Sequence, residues 1–180
     1  MSEYSKQVSE TLLFRKAGLA DVPAISAILK QAVARMLAEG KCQWNENYPN
    51  ATHVCTDIEN GVGHVLESEG QVVGYGAVVF TGEPAYDHLK GRWLTDGRYV
   101  VVHRLAVNRE SKERGLGRTF MQAVEEYAKT KKVPSFRVDT NFDNDAMLTL
   151  LHRLGFTHCG EIRYESGPRL AFEKKLIASL

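Results

Sequence analysis

The sequence has no apolar run that approaches the ~20 residues needed to span a bilayer. Its first residues, Met1-Ser2-Glu3-Tyr4, have neither the basic region nor the apolar stretch of a secretory signal. These two absences predict a cytoplasmic protein with no membrane partner.

The sequence also has no excess of charge of one sign. It contains 23 basic and 22 acidic residues, which gives a formal net charge of +1. Such a balance creates no long-range field for an anionic partner, so the sequence predicts no nucleic-acid partner. Any cluster of basic residues is then a local feature. The sequence leaves a homodimer open.

Cysteine is scarce and irregularly spaced. Cys42, Cys55 and Cys159 are odd in number and lack the spacing of metal ligands. We therefore expect reduced thiols, no disulfide framework and no metal site. Cys159 lies close in sequence to the apolar Phe156, and we expect it in the core.

What the sequence does contain is enough apolar material for a core. With 180 residues, 43% of them hydrophobic and 25% charged, the chain is expected to form one domain over residues 1–180. Residues 1–10 are polar, and we expect them to be frayed. No internal repeat or low-complexity linker interrupts the chain.

The order of the predicted elements indicates an α/β fold. Apolar periodicity and turn residues predict four helices and seven strands that form a mixed sheet with helices on both faces. Residues 81–97 are expected to be a longer connection. The predicted strands are 12–16, 62–67, 71–80, 98–107, 135–140, 157–162 and 169–175, and the helices are 22–40, 53–60 and two that begin near Gly115 and Asn144.

The stretch Lys112-Glu113-Arg114-Gly115-Leu116-Gly117-Arg118 is the most informative of the chain. It lies between a predicted strand and a predicted helix, and free backbone N–H groups at the start of a helix bind anions. The glycines keep side chains out of the way, and the three basic residues supply positive charge. The stretch predicts a site for a phosphate-bearing ligand. The alternative is an ordinary basic helix start without a ligand.

Two common nucleotide motifs do not fit this stretch. A Walker loop requires Gly-Lys-Ser/Thr, but Gly117 is followed by Arg118 and Thr119. A dinucleotide-binding fingerprint requires a third glycine where the chain has Phe120. A nucleotide-binding module is therefore disfavoured.

The stretch resembles the Arg/Gln-x-x-Gly-x-Gly/Ala pyrophosphate loop of the GCN5-related N-acetyltransferase (GNAT) superfamily. One position departs, because Lys112 stands where that family usually has Arg or Gln. A second segment, from Asn144 to Leu154-Gly155-Phe156, resembles the later motif of the family. The resemblance extends over nearly the whole chain. It implies a largely antiparallel sheet with a central parallel strand pair that splays to hold the cofactor.

The resemblance also implies which residues bind acetyl-coenzyme A, the acetyl donor of the family. One strand segment would pair its backbone with the pantetheine arm, the loop would hold the pyrophosphate, and two asparagines would contact the arm from the other side. For each asparagine, a role as helix cap or turn residue is an equal alternative. The implied cofactor residues are Leu105, Ala106, Val107, Lys112, Glu113, Arg114, Gly115, Leu116, Gly117, Arg118, Asn141 and Asn144.

Acetyl transfer to an alkyl amine needs a base, because an amine with a pKa near ~10 is protonated at neutral pH. His103 is the candidate, since alternation along the strand puts it on the face of Leu105 and Val107, and an unperturbed imidazole titrates near ~6.5. The alternative is that His103 is a structural residue of the sheet with no role in the reaction. Arg104 would face the other way and be structural.

The departing thiolate lacks its usual proton donor. Many GNAT proteins have a tyrosine at the motif position where this chain has Leu151. A thiol pKa near ~8.5 makes the thiolate a tolerable leaving group without that help. Tyr164 and Tyr99 are alternative donors that the sequence does not place. The substitution leaves open a second function, an acyl-CoA-binding sensor or interaction module with little or no turnover.

The acceptor site is expected to lie outside both motifs. Trp44, Glu46 and Tyr48 combine aromatic surface with a carboxylate, which suits a cationic amine. The alternative is that the aromatic residues anchor a long loop to the core. The predicted function is acetyl-CoA-dependent N-acetylation of a primary amine, on a small molecule or a peptide, by direct attack on the thioester.

Overall fold

The computed structural model describes residues 3–176. The chain forms two compact units, the first from residues up to 78 together with 103–124, and the second from 79–102 together with residues from 125 onward. The single domain expected for residues 1–180 stays a prediction.

The structure contains nine strands and four α-helices in the described part of the chain. Two short 3₁₀ segments, Leu19–Asp21 and Pro84–His88, add to them. In chain order the elements are β1 Lys6–Gln7, β2 Leu12–Lys16, α1 Val22–Ala38, α2 Ala51–Glu59, β3 Gly63–Ser68, β4 Gln71–Val79, β5 Lys90–Gly91, β6 Val100–Val107, α3 Leu116–Thr130, β7 Ser135–Thr140, α4 Asp145–Arg153, β8 Thr157–Tyr164 and β9 Gly167–Lys175.

In the first unit, the strands lie side by side in the order β1-β2-β3-β4, and the next strand is the second half of β6. Strands β1 to β4 pair antiparallel, and β3 and β4 form the predicted hairpin around Glu69 and Gly70. Both turn residues have positive φ, 49° and 80°, as a tight hairpin requires. One apolar face of α1 packs with α2 against the sheet, through buried residues that include Ile25, Leu29 and Val54.

In the second unit, the strands lie side by side in the order β6 (its first half), β7, β9, β8 and β5. Strands β6 and β7 are parallel, with Val100 opposite Phe136, whereas the other pairs are antiparallel. At the edge, a Cβ on Gly91 would lie 2.1 Å from the Cys159 carbonyl oxygen, so only glycine fits this approach. The mixed and mostly antiparallel α/β fold confirms the prediction.

Most predicted elements are present, with three differences. Helix α2 begins at Ala51 because Asn50 caps it, its side chain accepting from the Thr52 N–H. The prediction that residues 1–10 are frayed is wrong for Lys6–Gln7, which pair with β2, and residues 1 and 2 lie outside the described part. The predicted connection 81–97 contains the segment Pro84–His88 and strand β5.

Cys159 is buried, as predicted. None of the helices within residues 3–176 combines the length and the apolar character that crossing a membrane requires.

Candidate functional site

The loop that follows β6 is fixed by its own backbone and by β4. The Asn108 N–H donates to the Val73 carbonyl at 2.8 Å, which joins the start of the loop to β4. The side-chain oxygen of Asn108 then accepts from the Glu110 N–H at 3.0 Å, an Asx turn that reverses the chain. The predicted phosphate loop therefore begins from a defined position at the end of a strand.

Glu113 anchors the middle of this loop. Its carboxylate accepts hydrogen bonds from the hydroxyls of Ser111 and Ser68, and Ser68 is buried in β3. These two hydrogen bonds, that of Ser111 foremost, hold the pKa of Glu113 below its ordinary value. Because the side chain is engaged within the protein, only the backbone of Glu113 is available to a ligand.

Helix α3 begins directly after Gly115, a residue that has no side chain to cap the helix. The Gly115 carbonyl accepts the first intrahelical hydrogen bond, from the Thr119 N–H at 2.9 Å. The N–H groups of Leu116, Gly117 and Arg118 precede that bond and have no acceptor four residues back in the helix. Together with the helix dipole, free N–H groups of this kind are suited to bind an anion.

Gly115 is required by its backbone angle rather than by crowding. Its φ is +65°, a conformation that side chains with a Cβ rarely adopt, and a Cβ built there would meet no atom within 4 Å. The left-handed turn into α3 is therefore a reason for glycine at this position, in addition to the close approach of a ligand that the sequence predicts.

Two of the three basic side chains of the loop have partners in the protein. Lys112 donates to Glu69 at 2.9 Å, and this hydrogen bond raises the pKa of the Lys112 ammonium. Arg114 donates to the Ser111 carbonyl at 3.0 Å, and Arg118 is exposed. The backbone of α3 is thus the more fixed part of the predicted anion site.

Strand β6 contains one residue with an unusual backbone angle, Arg104, whose φ is +57°. A residue other than glycine in this left-handed region is strained, and within a strand it changes the direction of the side chains that follow. Strict alternation therefore does not extend from His103 to Leu105 and Val107. The prediction of a shared face for these three residues loses its basis at this position.

The strained residue is held by a polar network. Arg104 donates to both carboxylate oxygens of Asp57, at 2.9 and 2.6 Å, and to the Tyr48 hydroxyl at 3.1 Å. The Tyr75 hydroxyl donates to the same carboxylate.

This network keeps its side chains in their ordinary protonation states. Burial disfavours the charge of Arg104, but the hydrogen bonds to Asp57 outweigh this effect and raise the pKa of the guanidinium. Burial also raises the pKa of Tyr75, so this hydroxyl stays a donor. The hydrogen bonds to Asp57 and Tyr48 support the structural role predicted for Arg104.

His103 directly precedes the strained residue and is half-buried. His103 interacts with another residue of the protein. Of the segment predicted to pair with pantetheine, Ala106 is buried, and Leu105 and Val107 are half-buried. His103 and this segment belong to the first unit, as does the phosphate loop.

The three predicted acceptor residues fall into different environments. Trp44 is 7% exposed and packs in the core cluster of α1, which supports the core-anchor alternative. Glu46 is exposed in the turn between Asn45 and Tyr48, whose backbones exchange two hydrogen bonds. Tyr48 is 37% exposed, and its hydroxyl accepts from Arg104. Only Glu46 and Tyr48 present surface to a ligand.

The two predicted asparagines lie in the second unit. Asn144 caps α4 by accepting from the Met147 N–H at 3.2 Å, and Asn141 donates to Asp143 at 2.6 Å. These contacts are those of a helix cap and a turn residue, the alternative roles considered for them. Leu151 is fully buried, as its helical phase predicts.

One cluster was missed in the sequence. Tyr86 and Tyr164 both donate to Asp139, at 2.8 and 2.9 Å. These residues are far apart in sequence and belong to no motif, so no local signal could have joined them. Tyr99, the other tyrosine considered as a proton donor, stacks on Arg137 and accepts from the Glu83 N–H.

Comparison with protein families gives a match to the acetyltransferase (GNAT) family model over residues 29–156. A comparison with curated protein sequences gives no significant match.

Solved structures of similar proteins support this match. A GNAT-family acetyltransferase from Streptococcus agalactiae is 32% identical, with 97% of this chain and 98% of the other covered and a TM-score of 0.84. A ribosomal-protein-alanine N-acetyltransferase from Brucella melitensis is 26% identical, with 91% and 99% covered and a TM-score of 0.65. A putative acetyltransferase from Salmonella typhimurium, solved with acetyl-CoA, shares the fold at 19% identity, with 94% and 96% covered and a TM-score of 0.66.

Proposed function

The chain belongs to the acetyltransferase (GNAT) family, and from this premise we propose that it transfers an acetyl group from acetyl-CoA to a primary amine. The observation that carries the proposal is the start of α3. There Gly115, at φ +65°, leads into three consecutive N–H groups that lack an acceptor in the preceding turn.

The described residues fit the donor's chemistry. A pyrophosphate is a compact double anion, and N–H groups at a helix start, aided by the exposed Arg118, are suited to bind it. The backbone of residues 105–107 would pair with the amide groups of the pantetheine arm as an added strand does. Glu113, tied to Ser68 and Ser111, keeps the loop in place for this contact. Lys112 would flank this contact.

We assign the proton transfer to His103. The acceptor reaches the protein as an ammonium ion and must lose one proton before its nitrogen can attack. The imidazole of His103 would take that proton directly or through one water. Acetyl-CoA supplies a thioester whose thiolate is a tolerable leaving group. The new C–N bond replaces the C–S bond, and the attacking nitrogen gives up its second proton to water as the amide forms. The thiolate takes up one proton from water or from a hydroxyl, so that one proton is released overall.

A second function is favoured by one observation. Leu151 is fully buried and has no proton to give where many GNAT proteins have a tyrosine. A protein that binds acyl-CoA as a sensor, with little or no turnover, would have no need of such a donor.

The acceptor class in the proposal includes small molecules and peptides. Tyr48 and Glu46 offer an aromatic surface and a carboxylate in one exposed turn, which suits a cation. Trp44, which is buried in the core, is not carried into the acceptor site. The name of the Brucella melitensis relative indicates a peptide amine for that protein.

Calorimetric titration with acetyl-CoA, followed by thiol-release assays with a library of amines, tests the proposal. We expect acetyl-CoA to bind more tightly than ATP or NAD, and at least one primary amine to release thiol. Binding without thiol release from any amine would favour the sensor. Equal affinity for ATP or NAD would contradict the assignment of the loop.

A further inference from the structure

The side chain of Tyr48 is held between helix α2 and strand β6. Its ring packs against the imidazole of His53, with 4.8 Å between the ring centroids and 77° between the ring planes. Its hydroxyl accepts a hydrogen bond from Nη1 of Arg104 at 3.1 Å. Tyr48 belongs to neither element, because it lies in the connection between α1 and α2. One exposed tyrosine therefore contacts a helix with its ring and a strand residue with its hydroxyl.

The guanidinium of Arg104 is fixed by the same helix. His53 and Asp57 are four residues apart on α2, so they lie on one face of it. Asp57, which is 5% exposed, accepts from Nε and Nη2 of Arg104 at 2.9 and 2.6 Å. The buried Tyr75, on β4, donates to the same carboxylate. The third nitrogen of Arg104 therefore reaches Tyr48 from a defined position.

These contacts form a closed ring within the first unit, in which each residue touches the next: Tyr48, Arg104, Asp57 and His53. An aromatic side chain at a surface position ordinarily exchanges between rotamers. For Tyr48, the contacts on two sides favour one of them. The ring of Tyr48 is thus ordered before any ligand arrives.

The backbone at Tyr48 does not by itself fix the direction of the ring. Trp44 and Pro49 are buried on either side of the turn, and the backbones of Asn45 and Tyr48 exchange hydrogen bonds at 2.9 and 3.1 Å. These contacts hold the main chain, but Tyr48 itself is 37% exposed. Within residues 3–176, the hydrogen bond from Arg104 is the one that its hydroxyl makes.

We propose that Arg104 is a positioning residue for the amine acceptor, and that it acts by holding the ring of Tyr48 in its binding orientation. A side chain that is already ordered loses little freedom when a ligand binds, so the ligand binds more tightly than it would to a mobile ring. The inference rests on the proposed function, since it takes Tyr48 as part of the acceptor site. Because Arg104 directly follows His103, it also joins the acceptor surface to the strand of the proposed base.

NMR of the ligand-free chain tests the position of the ring. An aromatic ring shifts the signals of nearby nuclei, so the His53 ring signals report whether the ring of residue 48 stays in place. Tyr48→Phe removes only the hydroxyl, whereas Tyr48→Ala removes the ring. We expect the His53 signals of Tyr48→Phe to move from their wild-type positions toward those of Tyr48→Ala. Wild-type positions in Tyr48→Phe would overturn the inference.

Steady-state kinetics with an amine that releases thiol tests the consequence for the acceptor. Tyr48→Phe should raise KM for the amine about fivefold or more, with kcat and acetyl-CoA affinity unchanged, because the hydroxyl acts on acceptor binding alone. Each variant is measured below its own melting temperature. The matched control is Tyr127→Phe, which also removes one phenol oxygen, from α3 in the second unit, and should keep the wild-type KM.

A double-mutant cycle separates positioning from direct contact. Arg104→Gln keeps a donor for Asp57, but its shorter side chain does not reach Tyr48, so it should raise KM as Tyr48→Phe does. The two substitutions together should raise KM no further than either one alone. If Tyr48→Phe raises KM by the same factor in Arg104→Gln as in the wild type, the hydroxyl contacts the acceptor itself and the inference is wrong. If Arg104→Gln does not fold, the NMR comparison of the Tyr48 variants still decides.

The same measurements separate this inference from the proposed function. An unchanged KM in Tyr48→Phe, with turnover intact, removes the positioning role and leaves acetyl transfer standing. Absence of thiol release from every amine in the wild type removes acetyl transfer and the positioning role together. The two failures are distinguishable, because the second is seen in the protein without any substitution.

Discussion

Arg104 and Asp57 join β6 to α2 through a two-pronged ion pair, with Nε at 2.9 Å and Nη2 at 2.6 Å from the two carboxylate oxygens. The pair holds a residue whose φ is +57° in the middle of a strand, directly after His103. Both side chains are largely buried, with 16% and 7% of their surface exposed. The contact therefore links the position of the proposed base to the packing of a helix.

Breaking this pair should destabilise the first unit. Arg104→Ala leaves the Asp57 carboxylate buried without its cation and keeps the strained backbone, so we expect a loss of about 3–5 kcal/mol in the free energy of unfolding. Arg104→Gly loses the same pair but relieves the strain, and it should be about 1 kcal/mol more stable than Arg104→Ala. Urea unfolding of both variants measures this difference. Equal stabilities would show that the left-handed angle costs nothing here.

Acetyl-CoA affinity should depend on Gly115 more than on Lys112. Gly115→Val forces a β-branched residue into φ +65° and distorts the start of α3, so calorimetry should detect no binding. Lys112→Gln should only weaken it, because Lys112 is exposed and paired with Glu69. Gly117→Val should also abolish binding.

The control for the glycine variants is Gly40→Val. Gly40 has φ +71° and open space around it, as Gly115 does, but it follows α1. Its variant carries the same backbone strain and should bind acetyl-CoA normally. Normal binding in both Gly115→Val and Gly117→Val would place the pyrophosphate elsewhere.

Leu151 should matter for stability rather than for chemistry. Leu151 is fully buried, and Leu151→Ala should cost about 2–5 kcal/mol in thermal or urea unfolding while turnover below the melting temperature is kept. Leu37→Ala, at a position that is 52% exposed, should change stability by less than about 0.5 kcal/mol. A Leu151→Ala protein of normal stability that has lost turnover would mean that this residue acts in the reaction.

Acid should destabilise the second unit through Glu173. Burial alone would raise the pKa of this carboxyl, but hydrogen bonds from Ser135, Thr95 and the Leu94 N–H outweigh it and hold the pKa below the ordinary 4.5. A lowered pKa contributes stability above the unfolded value, and this contribution is lost as pH falls through the folded value. The loss should therefore lie below pH 4.5.

Unfolding measured from pH 7 down to pH 3 checks this expectation. Glu173→Gln should be less stable than the wild type at pH 7, by about 1–3 kcal/mol, and its stability should change less below pH 4.5. Glu110→Gln, at an exposed loop position, should follow the wild-type curve. If Glu173→Gln and the wild type have parallel curves, the carboxylate does not titrate with unfolding.

His103 should control the pH dependence of the reaction. If its imidazole takes the proton of the acceptor, kcat/KM rises with pH, and His103→Ala flattens this rise and lowers the rate by roughly 10²-fold or more. Acetyl-CoA affinity should be nearly unchanged, because the proposed pantetheine contacts nearby would be made by the backbone. A variant that keeps the wild-type profile at a near wild-type rate would move the base elsewhere, with Glu46 next to test.

The sequence predicts local features well. Strand 135–140 is found as Ser135–Thr140, and the helix expected from Gly115 begins at Leu116, because apolar runs, caps and glycines act on near neighbours. The position of the predicted phosphate loop between β6 and α3 follows from the same local signals.

Contacts between residues that are far apart in the chain could not be predicted from the sequence. The run Val100–Val107 has no glycine or proline to mark the strained Arg104, whose partner Asp57 is 47 residues away. The two tyrosines of Asp139 are 53 and 25 residues from it. Such pairs are set by tertiary packing, and so is the burial of Trp44, for which the sequence left both the pocket and the core interpretation open.

The most direct test of acetyl transfer is the stoichiometry of its two products. The purified chain is incubated with acetyl-CoA and a primary amine, free thiol is measured by colorimetry, and the acetylated amine is measured by mass spectrometry. The account predicts one acetylated amine for each thiol released, at a rate that far exceeds the reaction without protein. Acetyl-CoA that binds but is never consumed, with no acetylated product from any amine, would contradict it.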